Sequence, residues 1–166
     1  MNIFEFAMEQ EKLSEDYYRQ LAENTTNTGI KNICTMLAVE EVKHYKIVQG
    51  MQKQTTEEIT QMPVLQKAKQ IFDSMRKSPD EQNPDISELE LYQKARDIEQ
   101  QSKQFYQEKA KEVEDLKQKE IFQKLADEEQ KHYFLVNNIC EFVAKPQWFL
   151  ENAEMYRFDD YADGVL

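Results

Sequence analysis

Glycine and proline are scarce, at three and four positions among 166 residues. Both residues punctuate regular backbone, so their shortage argues against many short strands joined by tight turns. Glu, Lys, Gln and Leu dominate instead, which is the composition of long helices and predicts an all-α chain. Basic charge is also short: 21 Lys and Arg face 32 Asp and Glu, for a net charge of −11. A pI near 4.7 argues against nucleic acid or an anionic membrane surface as partner, since both need basic patches. Neutral or cationic ligands fit better. The two cysteines, Cys34 and Cys140, form no CxxC pair and read as small buried apolar residues. No apolar run reaches the roughly eighteen residues of a membrane span, and Met1-Asn2-Ile3-Phe4-Glu5 lacks the basic region and apolar core of a signal peptide. A soluble, cytoplasmic protein without a disulfide is the expectation, of a length that suits one domain.

Histidine is scarcer still, and its two copies lie in a repeat. Leu37-Ala38-Val39-Glu40-Glu41-Val42-Lys43-His44-Tyr45 and Leu125-Ala126-Asp127-Glu128-Glu129-Gln130-Lys131-His132-Tyr133 agree at seven of nine positions, with an offset of 88 residues. The same offset pairs Glu11 with Glu99, Ser14 with Ser102, Tyr18 with Tyr106 and Ala22 with Ala110, with no gap.

Apolar periodicity supplies the elements. Asn2 caps a first helix running to about Thr25, with Phe4, Ala7, Tyr18, Leu21 and Ala22 on its buried side. After the polar turn Asn24 to Gly29, a second helix carries Ile33, Leu37, Val48 and Met51. Residues 55–77 read as a crossover helix that begins at Thr55-Thr56-Glu57-Glu58 and buries Leu65, Ala68, Ile71, Phe72 and Met75. Pro79 to Pro84 is a loop. Ser87-Glu88-Leu89-Glu90 reads as a capping box for a third long helix over about 87–113, with Leu91, Ala95, Ile98, Phe105 and Tyr106 inward. The fourth covers about 116–144, with Ile121, Phe122, Leu125, Leu135, Val136, Ile139 and Phe142, and Pro146 ends it. The tail 147–166, rich in aromatics (Trp148, Phe149, Tyr156, Phe158, Tyr161), is expected to pack on the bundle or a partner, with a short helix near 148–155. Two hairpins joined by a crossover predict a four-helix bundle over 1–146 whose halves face each other about a pseudo-twofold axis.

On a helix, residues three apart share a face, so Glu41 with His44 and Glu129 with His132 can each offer an oxygen and an imidazole nitrogen to one ion. One Glu-x-x-His is a weak signal. Two copies, joined by Glu11 and Glu99 amid inward-pointing residues, make four carboxylates and two imidazoles converge. Burying that many carboxylates without cations costs several kcal/mol per unpaired charge. Two divalent ions remove the difficulty, with Glu11 and Glu99 terminal, Glu41 and Glu129 bridging, and His44 and His132 as nitrogen ligands. The oxygen and nitrogen donors suit iron or manganese; absent thiolates argue against structural zinc. Tyr18 and Tyr106 are placed to hydrogen-bond the carboxylates of the opposite repeat. Glu40 and Glu128 read as surface charges, with orientation of a histidine as the alternative.

This ligand pattern resembles that of the ferritin-like di-iron carboxylate proteins. Within them, the Glu-to-Tyr spacing and the two LAxEExKHY copies are most similar to the rubrerythrin group over residues 3–144. The resemblance implies a non-haem di-iron centre that reacts with hydrogen peroxide or oxygen in a commonly dimeric protein. Two departures qualify it. Rubrerythrins with a rubredoxin module carry paired CxxC motifs, which this sequence lacks, so a separate, rubredoxin-like electron donor is implied. They also have a further Glu one turn after the third-helix ligand; Ser102 stands there, mirrored by Ser14. The resulting symmetric set of six ligands is closer to a bacterioferritin-type ferroxidase centre. The rival expectations are an iron-oxidising and iron-buffering protein, and a metal-free helical scaffold or interaction module.

Overall fold

The computed structural model describes residues 1–54, 64–77 and 83–152. The described residues form α1 (Ile3–Asn24), α2 (Thr28–Gln52), α3 (Val64–Lys77), α4 (Leu89–Glu112), α5 (Leu116–Ala144) and α6 (Pro146–Asn152), with a 3₁₀ turn at Ile86–Glu88 and no strand. The start signals of the crossover (Thr55 to Glu58), most of the Pro79–Pro84 loop and the aromatics Tyr156, Phe158 and Tyr161 lie outside them.

Local chemistry sets each helix start. The Asn2 side chain accepts the Glu5 N–H at 2.8 Å, and the Glu5 carboxylate accepts the Asn2 N–H at 3.2 Å. Asn27 receives the Ile30 N–H at 2.9 Å to open α2, and Asp115 receives the Gln118 N–H at 2.9 Å to open α5. At α4 the expected Ser87 box gives way to a different device. The Asp85 carboxylate takes the Ser87 N–H at 2.9 Å and winds a 3₁₀ turn first. Glu88, at the N-cap position, turns its side chain to Thr25 and Tyr92 instead, at 3.2 and 3.0 Å. A second correction concerns Pro146, which ends α5 but also begins α6, because its missing N–H and fixed φ suit a first helical position. Leu91 is the third: it is 43% exposed, and Tyr92 takes the buried place beside it.

Short turns make antiparallel hairpins of α1 with α2 and of α4 with α5. Contacts of Phe6 with Phe105 and of Tyr17 with Leu91 show that α1 also runs antiparallel to α4. The crossover has therefore carried the chain back along the bundle. α3 packs on α2, where Met75 fills the space that a side chain at Gly29 would need. Arg76 Nε donates to the Leu150 carbonyl at 2.6 Å and ties α3 to α6. Phe149 is buried there, whereas Trp148 is 56% exposed.

Phe72 joins three helices, its ring 5.9 Å from Phe142 and 5.1 Å from Phe149. Phe72→Ala is expected to cost about 3–5 kcal/mol. Chemical denaturation should show that loss, while the polar layer described next, which contains no α3 residue, stays intact.

Two apolar clusters make up the core. One gathers Leu21, Ile33, Leu37, Leu135 and Phe142, and the other Ala7, Val48, Phe122 and Leu125. Every long helix passes from one cluster to the other, and each carries carboxylates at the crossing. No helix among the described residues is long and apolar enough to cross a membrane.

Candidate metal centre

Glu11 on α1, Glu41 and His44 on α2, Glu99 on α4, and Glu129 and His132 on α5 are buried, none more than 3% exposed. Each sits on the inward stripe of its helix, where the apolar pattern is interrupted. Ligand atoms of Glu41, His44, Glu129 and His132 lie within 4.8 Å of one another. His44 Nδ1 is 2.9 Å from Glu129, 3.3 Å from Glu41 and 3.6 Å from Glu11. His132 Nδ1 mirrors it, 3.3 Å from Glu41, 3.6 Å from Glu99 and 3.7 Å from Glu129. The two imidazoles stack with centroids 5.3 Å apart. Tyr18 donates to Glu99 and Tyr106 to Glu11, each hydroxyl reaching the carboxylate of the other repeat.

The rubrerythrin family profile matches residues 2–139, a span that contains all these side chains. The chain belongs to the rubrerythrin family. No curated protein and no solved structure matches it. The bundle is thus a ferritin-like rubrerythrin fold, and its buried Glu/His cluster could hold a metal ion and fits a di-iron protein.

The electrostatics of this rubrerythrin divide the groups into three pairs. Burial works against the ionised Glu11, but His44 and hydrogen bonds with Glu41, His44 and Tyr106 outweigh it and hold the carboxyl below 4.5. Glu99 is likewise penalised by burial, yet Glu129, His132 and Tyr18 hold it at about 2. Burial together with the charges of Glu99 and Glu11 pushes Glu41 up to about 8. Burial and the charges of Glu41, Glu99 and Glu11 push Glu129 well above 4.5. Burial alone would discharge the histidines; Glu11 and Glu129 around His44, and Glu99 with Glu40 and Glu41 around His132, raise both well above 6.5. Without metal, burial and mutual repulsion favour the neutral form of Glu41 and Glu129, while the surrounding carboxylates favour the charged form of both imidazoles.

That balance leaves polar atoms unserved. Glu41 Oε2 and Glu99 Oε2 are buried without a hydrogen-bond partner among the described residues. An unsatisfied buried polar atom costs about 1–3 kcal/mol, which a cation between the carboxylates recovers. The donor set of carboxylate oxygen and imidazole nitrogen, with no sulfur, matches what iron or manganese takes.

Glu40 and Glu128 correct the sequence reading, because neither is a surface charge: they are 4% and 5% exposed. A residue next to an inward Glu points about 100° around the helix, a direction that α5 covers on α2. Glu40 Oε2 lies 2.6 Å from His132 Nε2 and fixes that ring. Its counterpart Glu128 pairs with Lys131 at 3.1 Å, and His44 Nε2 has no partner among the described residues. The symmetry of the ligands therefore does not extend to their supports. Glu40→Leu is expected to weaken metal binding by about 10–100-fold, and Glu128→Leu by less, in competition against a chelator.

Proposed function

We propose that this protein holds two iron ions through Glu11, Glu41, His44, Glu99, Glu129 and His132, and that it reduces hydrogen peroxide with electrons from a separate donor protein. The observation that carries this reading is the convergence of four carboxylates and two imidazoles, two hydrogen-bonded tyrosines beside them, in a layer sealed on both sides by apolar residues. When bound, the iron pair supplies two electrons at adjacent positions, the requirement for cleaving an O–O bond without releasing a radical. The chain does the rest. Tyr18 and Tyr106 fix the terminal carboxylates, Glu40 fixes His132, and Leu125, Phe122, Leu37 and Leu135 exclude bulk water from above and below.

The twofold-symmetric ligand set favours a second reading, in which Fe(II) is the cargo to be oxidised. One experiment separates the two: load the anaerobic protein with Fe(II), add hydrogen peroxide or oxygen separately, and follow the absorption of the oxidised centre. Faster reaction with peroxide supports the first reading, and faster reaction with oxygen the second. A homodimer in the cytoplasm completes the proposal; the two buried, unpaired thiols suit a reducing compartment.

A further inference from the structure

The seam between α1 and α4 is looser than the seams within the hairpins. Small and polar side chains meet there, Ser14 and Ser102 among them, and a cavity of about 420 Å³ stays open. Because the two helices are antiparallel, unlike pairs close its ends. Phe6 stands 5.2 Å from Phe105 at one end, and Lys94 lies 5.6 Å over the Tyr17 ring at the other. Eleven residues of α1 separate these ends, roughly 16 Å at the helical rise. The cavity is therefore a slot. Leu13 and Ile98 give it apolar walls, while Glu11, Ser14 and Ser102 bring polar groups to its mid-length. Glu11 belongs to the metal-site cluster, so whatever lies in the slot lies against that centre.

Hydrogen peroxide is little larger than water, whose share of liquid volume is about 30 Å³. A slot of this volume with apolar walls and a few convergent polar groups instead has the character of an organic ligand site, typically about 300–1,000 Å³. The charge of −11 disfavours an anionic ligand.

We propose that the slot binds a neutral organic hydroperoxide, its alkyl or aryl body between Leu13 and Ile98 and its hydroperoxy end at Glu11. The inference rests on the peroxide-reducing reading and names a substrate class for it. In the reaction ROOH + 2 e⁻ + 2 H⁺ → ROH + H₂O, the O–O bond breaks and each oxygen takes one electron and one proton. The electrons come from the Fe(II) pair, which the separate donor protein reduces again, and the protons come from water.

Two measurements test it on the full chain. The first titrates metal-free protein with 2-phenyl-2-propanol, the alcohol product of cumene hydroperoxide, and reads amide NMR shifts. Saturable shifts confined to α1 and α4 are expected, and none in Ser102→Phe, which puts a ring across the slot at mid-length. The second compares kcat/KM for cumene hydroperoxide and for hydrogen peroxide on iron-loaded protein. The ratio should fall about tenfold or more in Ser102→Phe and in Leu13→Asp, a rim change at an exposed position that folding tolerates. Absence of saturable shifts, or an unchanged ratio, overturns the inference while leaving hydrogen peroxide reduction standing. Saturable alcohol binding with no reaction of either peroxide instead removes the catalytic reading. A dimer on sizing that Leu13→Asp splits, with no alcohol binding, assigns the seam to a second copy of the chain and also overturns the inference.

Discussion

Glu129→Gln is expected to change stability in opposite senses with and without metal. In the metal-free protein burial and the charges of Glu41, Glu99 and Glu11 raise the Glu129 carboxyl well above its ordinary range and so favour its neutral form. Glutamine has the same shape and no charge, so the variant should melt at or slightly above the wild-type temperature. Metal reverses the order. An ion at a hundred times its dissociation constant stabilises the fold by about 2.7 kcal/mol. For a chain of this length each kcal/mol moves the midpoint by about 2–4 °C, giving a rise of very roughly 5–11 °C. The amide is a poor metal ligand, so most of that rise should vanish in Glu129→Gln. Calorimetry on the two proteins with and without Fe(II) or Mn(II) checks it. A metal-free scaffold requires that metal leave the midpoint of each protein unchanged, and such a result would falsify the proposed centre.

Proton release on metal loading is the second large effect. The metal-free fold favours the charged form of His44 and His132 and the neutral form of Glu41 and Glu129, and each must be deprotonated to coordinate. Metal loading should therefore release protons near neutral pH. Calorimetric titration in buffers of different ionisation enthalpy counts them. The logarithm of affinity should rise steeply with pH below about 8, the value to which Glu41 is raised.

Metal-free stability runs the other way. Glu41 is raised in the fold, so its contribution is complete below its ordinary value of 4.5 and fades as pH climbs through about 8. The histidines, also raised, contribute fully below 6.5 and lose that contribution as pH rises. Glu99 is depressed to about 2, so its share is present above 4.5 and disappears as acid is added. The metal-free protein should melt highest near pH 4.5 and lose stability as pH climbs towards 8, whereas the loaded protein should melt highest at higher pH.

The ligand geometry was readable because duplication left it in duplicate. A lone Glu-x-x-His in so acidic a chain carries little information, but the shared 88-residue offset of Glu11, Glu41 and His44 ties three positions together at once. Helix periods were legible for a related reason: each long helix buries one stripe across most of its length. What depended on neighbours from distant sequence was not legible. Glu40 looks like any solvated carboxylate until α5 lies across it. Leu91 and Tyr92 exchange the roles that periodicity assigns, because Tyr92 finds Glu88 and a place in the core while Leu91 turns outward. Ser87 is an acceptable cap, yet Asp85, two residues earlier, takes the Ser87 N–H and starts a 3₁₀ turn instead.

The crossover contributes nothing to the ligand set, which divides evenly between the hairpins. The coordination shell is in this sense a self-complementary contact between two copies of one ancestral hairpin, each bringing two carboxylates and an imidazole. Tethering them replaces a concentration-dependent encounter with an effective local concentration of the millimolar order. It also frees either copy to diverge, and the unequal supports of His44 and His132 are where this chain has begun to do so.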